Sequence, residues 1–232
     1  MEILKAENLT KKYINKTALD NLNITLEKGK IYGLLGPNGS GKTTLMKIIA
    51  GLLQASSGNI QIMESMIGKD TKKLVSYMPT TNHLSNGMKI KHWIECFHDY
   101  FEDFNKEKAQ ELIDFMKLKQ DMKIKNLSTG MVQRLKISLA ISRDAILYVF
   151  DEPFNGIDPV SREKIMETLL NNLDEEKTII ISSHMVSELE RILDRVIFLD
   201  DGKLIINEDA DFLRVERKMS IDELYREVYK DA

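Results

Sequence analysis

Residues 36–43 read Gly-Pro-Asn-Gly-Ser-Gly-Lys-Thr, which matches the phosphate-binding pattern GxxxxGK[ST] at every fixed position. The apolar run at 31–35 precedes this segment, and a run with helical character follows it from Thr44. In a strand–loop–helix context the backbone N–H groups of the loop and of the helix start converge on one anion. The segment therefore predicts a nucleoside triphosphate site between a strand and a helix, in preference to an ordinary glycine-rich turn.

The side chains of this loop have different expected roles. The Lys42 ammonium would reach the β- and γ-phosphates, and the Thr43 hydroxyl would complete a Mg²⁺ shell. The glycines let backbone N–H groups turn inward around the phosphates. The residues predicted to contact the nucleotide here are Gly36, Pro37, Asn38, Gly39, Ser40, Gly41, Lys42, Thr43 and Thr44.

Two acidic residues, Asp151 and Glu152, directly follow the apolar run at 146–150. A buried parallel strand that ends this way places its first carboxylate beside the phosphate loop, where it holds Mg²⁺ directly or through water. The second carboxylate, Glu152, is then positioned to polarise a water for in-line attack on the γ-phosphate. The alternative is two acids that merely decorate a strand end, and the preceding apolar run favours the functional interpretation.

The distribution of apolar residues predicts an α/β fold. Near-continuous apolar runs separated by helices predict a central, mostly parallel sheet covered on both faces. Residues 1–30 alternate as antiparallel strands, whereas residues 84–143 show helical spacing and predict an inserted helical lobe. We expect a P-loop NTPase domain over residues 1–206 with an N-terminal antiparallel β subdomain, followed by a helical tail over 207–232.

Composition narrows the function classes. A formal net charge of −3 offers no general attraction for nucleic acid, so no nucleic-acid partner is expected. Cys96 is the only cysteine, which excludes an internal disulfide and favours a reducing, cytoplasmic location. Because no run of 18 uncharged apolar residues occurs, we expect any membrane role to depend on a partner chain.

The segment Leu127-Ser128-Thr129-Gly130-Met131, followed by Gln133-Arg134, resembles the signature of ATP-binding cassette (ABC) ATPases, whose usual form is LSGGQ followed by a QR pair. Alone, Ser-Thr-Gly is also ordinary helix-capping chemistry. The position of the segment between the phosphate loop and the two acids strengthens the resemblance. It implies that this signature contacts the γ-phosphate of ATP held by the opposite subunit, and a hydroxyl with free N–H groups at a helix start makes a suitable anion site.

The resemblance carries over to three further positions. Tyr13 matches the aromatic residue that stacks on adenine, and Asp158 lies in the segment that matches the D-loop at the dimer seam. His184 follows a strand and matches the switch histidine that contacts the γ-phosphate. The implied catalytic residues are Glu152, His184 and Lys42, and the implied cofactors are ATP and Mg²⁺.

The sequence departs from the family pattern at three positions. Thr80 stands where the family has the Q-loop glutamine, and a threonine is too short to reach the metal and the attacking water equally. Thr129 and Met131 replace a glycine and a glutamine of the signature. With methionine at its last position, the signature resembles that of an exporter-type subfamily, whose ATPases read S-x-G-M.

The resemblance implies an ATP-binding and ATP-hydrolysing subunit of an ABC transporter, expected to act in export. Two subunits, identical or paralogous, would dimerise head to tail around two MgATP and drive transmembrane permease subunits at the inner face of the cell membrane. One alternative is a soluble ABC ATPase that acts on nucleic acid or ribosomes. Another is a regulatory subunit that senses ATP without hydrolysing it.

Overall fold

The computed structural model describes residues 1–172, 174 and 176–230, which form two sheets and a set of helices. The strands are β1 Glu2–Tyr13, β2 Lys16–Glu27, β3 Ile31–Leu35, β4 Ser57–Ile62, β5 Ser65–Met66, β6 Val75–Met78, β7 Leu147–Asp151, β8 Thr178–Ser183, β9 Arg195–Asp200 and β10 Lys203–Asp209. The α-helices are α1 Lys42–Ile49, α2 Ile90–Tyr100, α3 Lys106–Phe115, α4 Thr129–Ile141, α5 Pro159–Asn172, α6 Val186–Leu189, α7 Ala210–Arg217 and α8 Ile221–Val228.

The central sheet has the order β10-β9-β3-β8-β7-β6 and is parallel except for β10, which pairs antiparallel with β9. Its strands are apolar on both faces, because each face carries a separate core. Along β7, for example, Tyr148 and Phe150 pack into the core beneath the helical lobe, whereas Leu147 and Val149 pack into the core beneath the second sheet. The predicted central, mostly parallel sheet is confirmed.

The second sheet is the predicted N-terminal antiparallel unit, with strand order β2-β1-β4-β5. Inward-facing apolar residues of β1 and β2 share a core with α1 and with one face of the central sheet. The hairpin between β1 and β2 pairs Tyr13 with Lys16, which brings the end of β1 beside the phosphate loop. This sheet therefore positions one rim of the nucleotide site.

The helical lobe is formed by α2, α3 and α4, which lie in the chain between β6 and β7. Phe97 lies at the centre of its aromatic cluster, with its ring centroid 5.3 Å from that of Phe101 and 5.6 Å from that of Phe104. Arg143 fastens the lobe to the central sheet, because its guanidinium pairs with Asp103 and donates to the Val75 carbonyl at 2.7 Å. The lobe is thus held at the edge of the sheet formed by β6.

The C-terminal segment departs from the expected helical tail at its start. Strand β10 continues to Asp209, so residues 207–209 of the tail belong to the sheet. The Asp209 carboxylate then accepts hydrogen bonds from the backbone N–H groups of Asp211 and Phe212, which is why α7 begins only after it. A capping box between Ser220 and Glu223 opens α8. Residues 231 and 232 of the predicted tail lie outside the described residues.

Among the helices of the described residues, none combines the length and the apolar character needed to cross a membrane.

We expect the apolar residues of α8 to stabilise the domain, because Leu224 is 4% exposed and packs into the core that also lies beneath the helical lobe. Val215 on α7, by contrast, is 77% exposed. Leu224→Ala should lower the free energy of unfolding in urea by about 2–4 kcal/mol, because it leaves a cavity. Val215→Ala serves as the control and should change it by less than about 0.5 kcal/mol. Equal effects of the two substitutions would contradict docking of this tail on its own core.

Candidate nucleotide site

A pocket of about 590 Å³ opens where β3, β7 and β8 end, at the edge of the sheet formed by their carboxyl termini. This is the edge at which ligands bind in open α/β sheets. The sequence-predicted residues that line the pocket are Tyr13, Asn38, Gly39, Gly41, Lys42, Thr43, Thr44, Thr80, Glu152 and His184. Lys16 and Ala18 also line the pocket and were not predicted, and Asn155 begins the segment 155–158 that matches the D-loop.

Glycines shape the loop between β3 and α1. Gly36 has a φ of 153°, and a Cβ there would lie 2.2 Å from the Leu199 carbonyl oxygen. Gly41 has a φ of 109°, and its Cβ would lie 2.5 Å from the Ala18 carbonyl oxygen. Both positions therefore require glycine, because the loop is pressed against two neighbouring strands.

Lys42 is buried at the base of the loop, where its ammonium donates to the carbonyl oxygens of Gly36 at 2.7 Å and Pro37 at 2.9 Å. Burial lowers the pKa of Lys42, and the charges of Glu152 and Asp151 oppose that shift. The Ser40 hydroxyl is also buried and has no hydrogen-bond partner among the described residues. A bound phosphate would accept from the Ser40 hydroxyl and from the third N–H of the Lys42 ammonium, so this cradle fits a triphosphate.

Asp151 ends β7 and is only 1% exposed. The Thr43 hydroxyl donates to its two carboxylate oxygens at 3.0 and 3.2 Å, and the Ser182 hydroxyl donates to Oδ1 at 2.9 Å. The Tyr77 hydroxyl lies 3.5 Å from Oδ2. Mg²⁺ prefers oxygen ligands and is usually held by one or two protein groups together with phosphate oxygens, so the adjacent Thr43 and Asp151 oxygens fit it.

Glu152 follows Asp151 with a positive φ of 50°, a strained conformation for a residue with a side chain. Its backbone N–H donates to the Ser182 hydroxyl at 3.0 Å, which fixes the turn. The turn directs its carboxylate into the pocket, where Oε2 lies 2.9 Å from Nδ1 of His184. A carboxylate held by an imidazole at the mouth of a phosphate pocket has the arrangement expected of a general base.

The rim opposite this pair is formed by the β1–β2 hairpin. Tyr13 is half exposed there and lines the pocket, with the Lys11 ammonium 5.4 Å from its ring centroid. The Lys16 ammonium donates to the Gly39 carbonyl at 3.0 Å and so ties the hairpin to the loop. Lys16 gave no motif signal, but its position directly after the turn that follows Tyr13 could have suggested it.

The signature residues do not line this pocket. Ser128 and Thr129 are exposed at the start of α4, and the Ser128 hydroxyl accepts from the Met131 N–H at 3.3 Å. Asp158 lies next to them, since a Cβ on Gly130 would be 3.6 Å from its Oδ2. Hydrogen bonds from Ser161 hold the pKa of Asp158 below its usual range. The structure thus brings the signature and Asp158 together on a surface apart from the pocket of the same chain.

Thr80 occupies a bridge between the pocket and the lobe. Its hydroxyl donates to the Asp151 carbonyl at 3.2 Å. On its other side, the ammonium of Lys136 from α4 donates to the carbonyl oxygens of Pro79 and, at 3.1 Å, of Thr80. Lys136 is 3% exposed, and burial lowers its pKa to about 8, with Asp151 opposing the shift. Sequence reasoning missed Lys136, because no motif includes it.

A second cavity of about 740 Å³ lies between β6, α2 and α4, and we call it the lobe groove. Its lining is mainly apolar, and among the described residues that line it none is acidic. The Trp93 indole nitrogen is buried there and has no hydrogen-bond partner in the part of the chain that the structure describes. The lining residues are Lys47, Leu52, Ser76, Tyr77, Met78, Pro79, His83, Trp93, Cys96, Phe97, Tyr100, Phe101, Lys136, Ala140 and Arg143.

The matching family and the named relatives are all transport ATP-binding proteins. Residues 19–155 match the protein family described as ABC transporter. The lantibiotic transport ATP-binding protein SrtF of Streptococcus pyogenes is 35% identical over 218 residues, which cover 90% of this chain and 92% of SrtF. The Nod factor export ATP-binding protein I of Burkholderia orbicola is 32% identical over 224 residues, which cover 93% of this chain and 73% of that protein.

A solved structure has the same fold. It is a dimeric post-hydrolysis state of an ATP-binding cassette bound to ADP and Pi, and it superposes with a TM-score of 0.79 at 24% identity. The superposition covers 89% of this chain and 98% of that chain.

The buried ammonium of Lys136 should make the stability of the domain depend on pH. The pKa of Lys136 is about 8 in the folded chain, against an ordinary value of 10.5. The buried charge therefore imposes its full cost on the free energy of folding below pH 8, and this cost falls progressively between pH 8 and pH 10.5. Across that window, the free energy of unfolding of the parent should rise relative to that of Lys136→Met by up to about 3 kcal/mol. Urea unfolding at several pH values measures this difference, and a difference independent of pH would contradict burial of the charge.

Proposed function

The chain belongs to the ABC transporter family of ATP-binding proteins, and on that premise we propose that it binds MgATP, hydrolyses it as a head-to-tail dimer and drives transmembrane permease subunits. ATP binding and hydrolysis are the activity of this family. The observation that best supports the proposal is the conjunction of two pairs at one pocket, Thr43 with the buried Asp151 carboxylate and Glu152 with His184.

The side chains named above have separate roles in the proposed hydrolysis. The loop N–H groups and Lys42 bind the phosphate oxygens, and Tyr13 stacks on the adenine ring. Thr43 and Asp151 would hold Mg²⁺, which when bound neutralises charge on the β- and γ-phosphates. Glu152 accepts a proton from the water that attacks the γ-phosphorus, so that the bond to the ADP oxygen breaks and phosphate leaves.

His184 acts beside Glu152. Its Nδ1 lies 2.9 Å from the Glu152 carboxylate, so it holds that carboxylate toward the pocket. Its ring also lines the pocket, which supports a contact with the γ-phosphate. The pair combines the proton acceptor with a group that senses the terminal phosphate.

The position of the signature supports a head-to-tail dimer. Ser128 and Thr129 are exposed and do not line the pocket of their own chain, so they are free to contact a nucleotide held by another subunit. The N–H groups at the start of α4 suit an anion. A cassette of the same fold is dimeric with ADP and Pi bound, which supports dimerisation, and in the proposed dimer Asp158 lies at the seam.

The lobe groove is the proposed docking site for a transmembrane partner. Its apolar lining suits an amphipathic helical segment, and the cations Lys47 and Lys136 favour an acidic residue on that segment. The unpaired Trp93 indole N–H offers a donor for such an acceptor. Docking there would place the chain peripherally at the inner face of the membrane, in the cytoplasm.

Export is the proposed direction of transport. The relatives named for lantibiotic transport and for Nod factor export support it, together with Met131 at the end of the signature. A soluble ATPase that acts on nucleic acid is less favoured, because a chain with a net charge of −3 has no general attraction for a polyanion. An ATP sensor without turnover is less favoured because the Glu152–His184 pair is complete.

Replacement of the proposed base tests hydrolysis. Glu152→Gln keeps the shape of the side chain but removes the proton acceptor, so phosphate release should fall by about 10² to 10⁴. Glu163→Gln on the exposed face of α5 is the matched control and should leave turnover within about twofold. Near-normal phosphate release by Glu152→Gln would remove Glu152 as the general base.

A negative charge introduced into the lobe groove tests partner docking. Tyr100 lines the groove and is 83% exposed, so Tyr100→Glu leaves the fold intact but repels an acidic segment. Co-purification with permease subunits encoded beside this chain should fall at least about tenfold, as expected for a loss of 1.4 kcal/mol or more. Phe115→Glu, on an exposed part of the lobe that does not line the groove, should not change it. Equal recovery with both variants would argue against the groove.

A further inference from the structure

Lys136 is a buried cation whose hydrogen bonds, among the described residues, go to backbone carbonyls and not to a carboxylate. Lysine is rarely buried in this way, because removing an ammonium from water is unfavourable unless strong acceptors replace the water. The depressed pKa of Lys136 expresses that penalty. Because a small or apolar residue would avoid it, the position of Lys136 requires a reason beyond packing.

The carbonyls that Lys136 binds belong to a segment shared by both cavities. Thr80 lines the nucleotide pocket, and Pro79 lines the lobe groove. The Thr80 hydroxyl donates to the Asp151 carbonyl, so the segment is tied to the end of β7 on one side and to α4 on the other. Tyr77 adds a second link, because its ring lines the groove while its hydroxyl lies 3.5 Å from Asp151 Oδ2.

We infer that Lys136 is a positioning residue that couples nucleotide occupancy to the shape of the lobe groove, through its hydrogen bonds to Pro79 and Thr80. This inference rests on the proposed function, since it needs ATP in the pocket. The Thr80 hydroxyl donates to the Asp151 carbonyl and the Thr80 carbonyl accepts from Lys136, so the link passes through this one residue from β7 to α4. When a triphosphate and its metal bind at Asp151, the segment shifts and Lys136 carries the shift to α4.

Helix α4 carries this displacement to the signature at its N-terminus. Ser128 caps α4 eight residues before Lys136, which corresponds to about 12 Å along a helix axis. A rigid helix therefore moves the signature surface together with the groove wall. Lys136 in this way connects the pocket, the groove and the proposed contact with the opposite subunit.

The chain contains its own reporter for this coupling. Trp93 is the only tryptophan, it lines the lobe groove, and its ring centroid lies 6.3 Å from that of His83. Its fluorescence therefore reports on the groove alone. The experiment adds ATP with Mg²⁺ to the full chain carrying Glu152→Gln, which prevents turnover, and records Trp93 emission. Equilibrium dialysis with labelled ATP measures binding independently.

In the Glu152→Gln parent, we expect a saturable change in Trp93 emission with the midpoint found by dialysis. Lys136→Met preserves the length and volume of the side chain but removes its donors. It should reduce the amplitude at least about threefold while the dissociation constant for ATP changes less than about threefold, which is 0.65 kcal/mol. Lys119→Met, which removes an exposed lysine of the lobe, should keep the full amplitude.

Thr80→Val provides a second variant, because it cuts the other end of the same link by removing the hydroxyl that donates to Asp151. It should also reduce the amplitude, and it decides the matter if circular dichroism finds Lys136→Met unfolded. Full amplitude in the folded variants would overturn the inference, as would ATP binding to the parent with no change in emission. Absence of ATP binding to the parent by dialysis would instead refute the proposed function, and the inference with it.

Discussion

The buried carboxylate of Asp151 is the constraint on which the rest of this site depends. A carboxylate that is 1% exposed needs hydrogen-bond donors in place of water, and Thr43 and Ser182 supply them from two different elements. These bonds fix the start of α1 and the end of β8 against the end of β7. The phosphate loop, the proposed base and the histidine are consequently held in one frame before any nucleotide arrives.

That frame also explains why the loop tolerates so little change. Gly36 and Gly41 lie closer to the backbone of neighbouring strands than any side chain permits. The loop is therefore pressed between β9 and β2 while Lys42 bonds its carbonyls from within. Such a cradle is preorganised for phosphate, because its donors need little rearrangement to exchange carbonyl acceptors for phosphate oxygens.

Much of this arrangement could be predicted from the sequence, because it is encoded by local patterns. The glycine-rich motif located Lys42 and Thr43, and the apolar runs located the strand ends that bring Asp151, Glu152 and His184 to one edge of the sheet. All of these residues converge there in the structure. Their chemical roles remain predictions, as do the roles of the signature residues.

The remainder depends on tertiary packing, which single-sequence patterns do not encode. Lys136 lies within the helical pattern of α4 as an ordinary charged residue, and only the docking of the lobe against Pro79 and Thr80 buries it. Lys16 reaches the loop through the register of a hairpin. The polar end of β10 carries no apolar pattern, so its pairing with β9 up to Asp209 was not foreseen.

We propose that one pocket is only half of a working site, since the exposed Ser128 of the signature does not line it. Sedimentation velocity of the Glu152→Gln chain, with saturating ATP and Mg²⁺, tests this most directly. We predict a dimer that forms with ATP and Mg²⁺ and dissociates when the metal is chelated. A chain that binds ATP under these conditions but sediments as a monomer, alone and together with its permease subunits, would contradict the account.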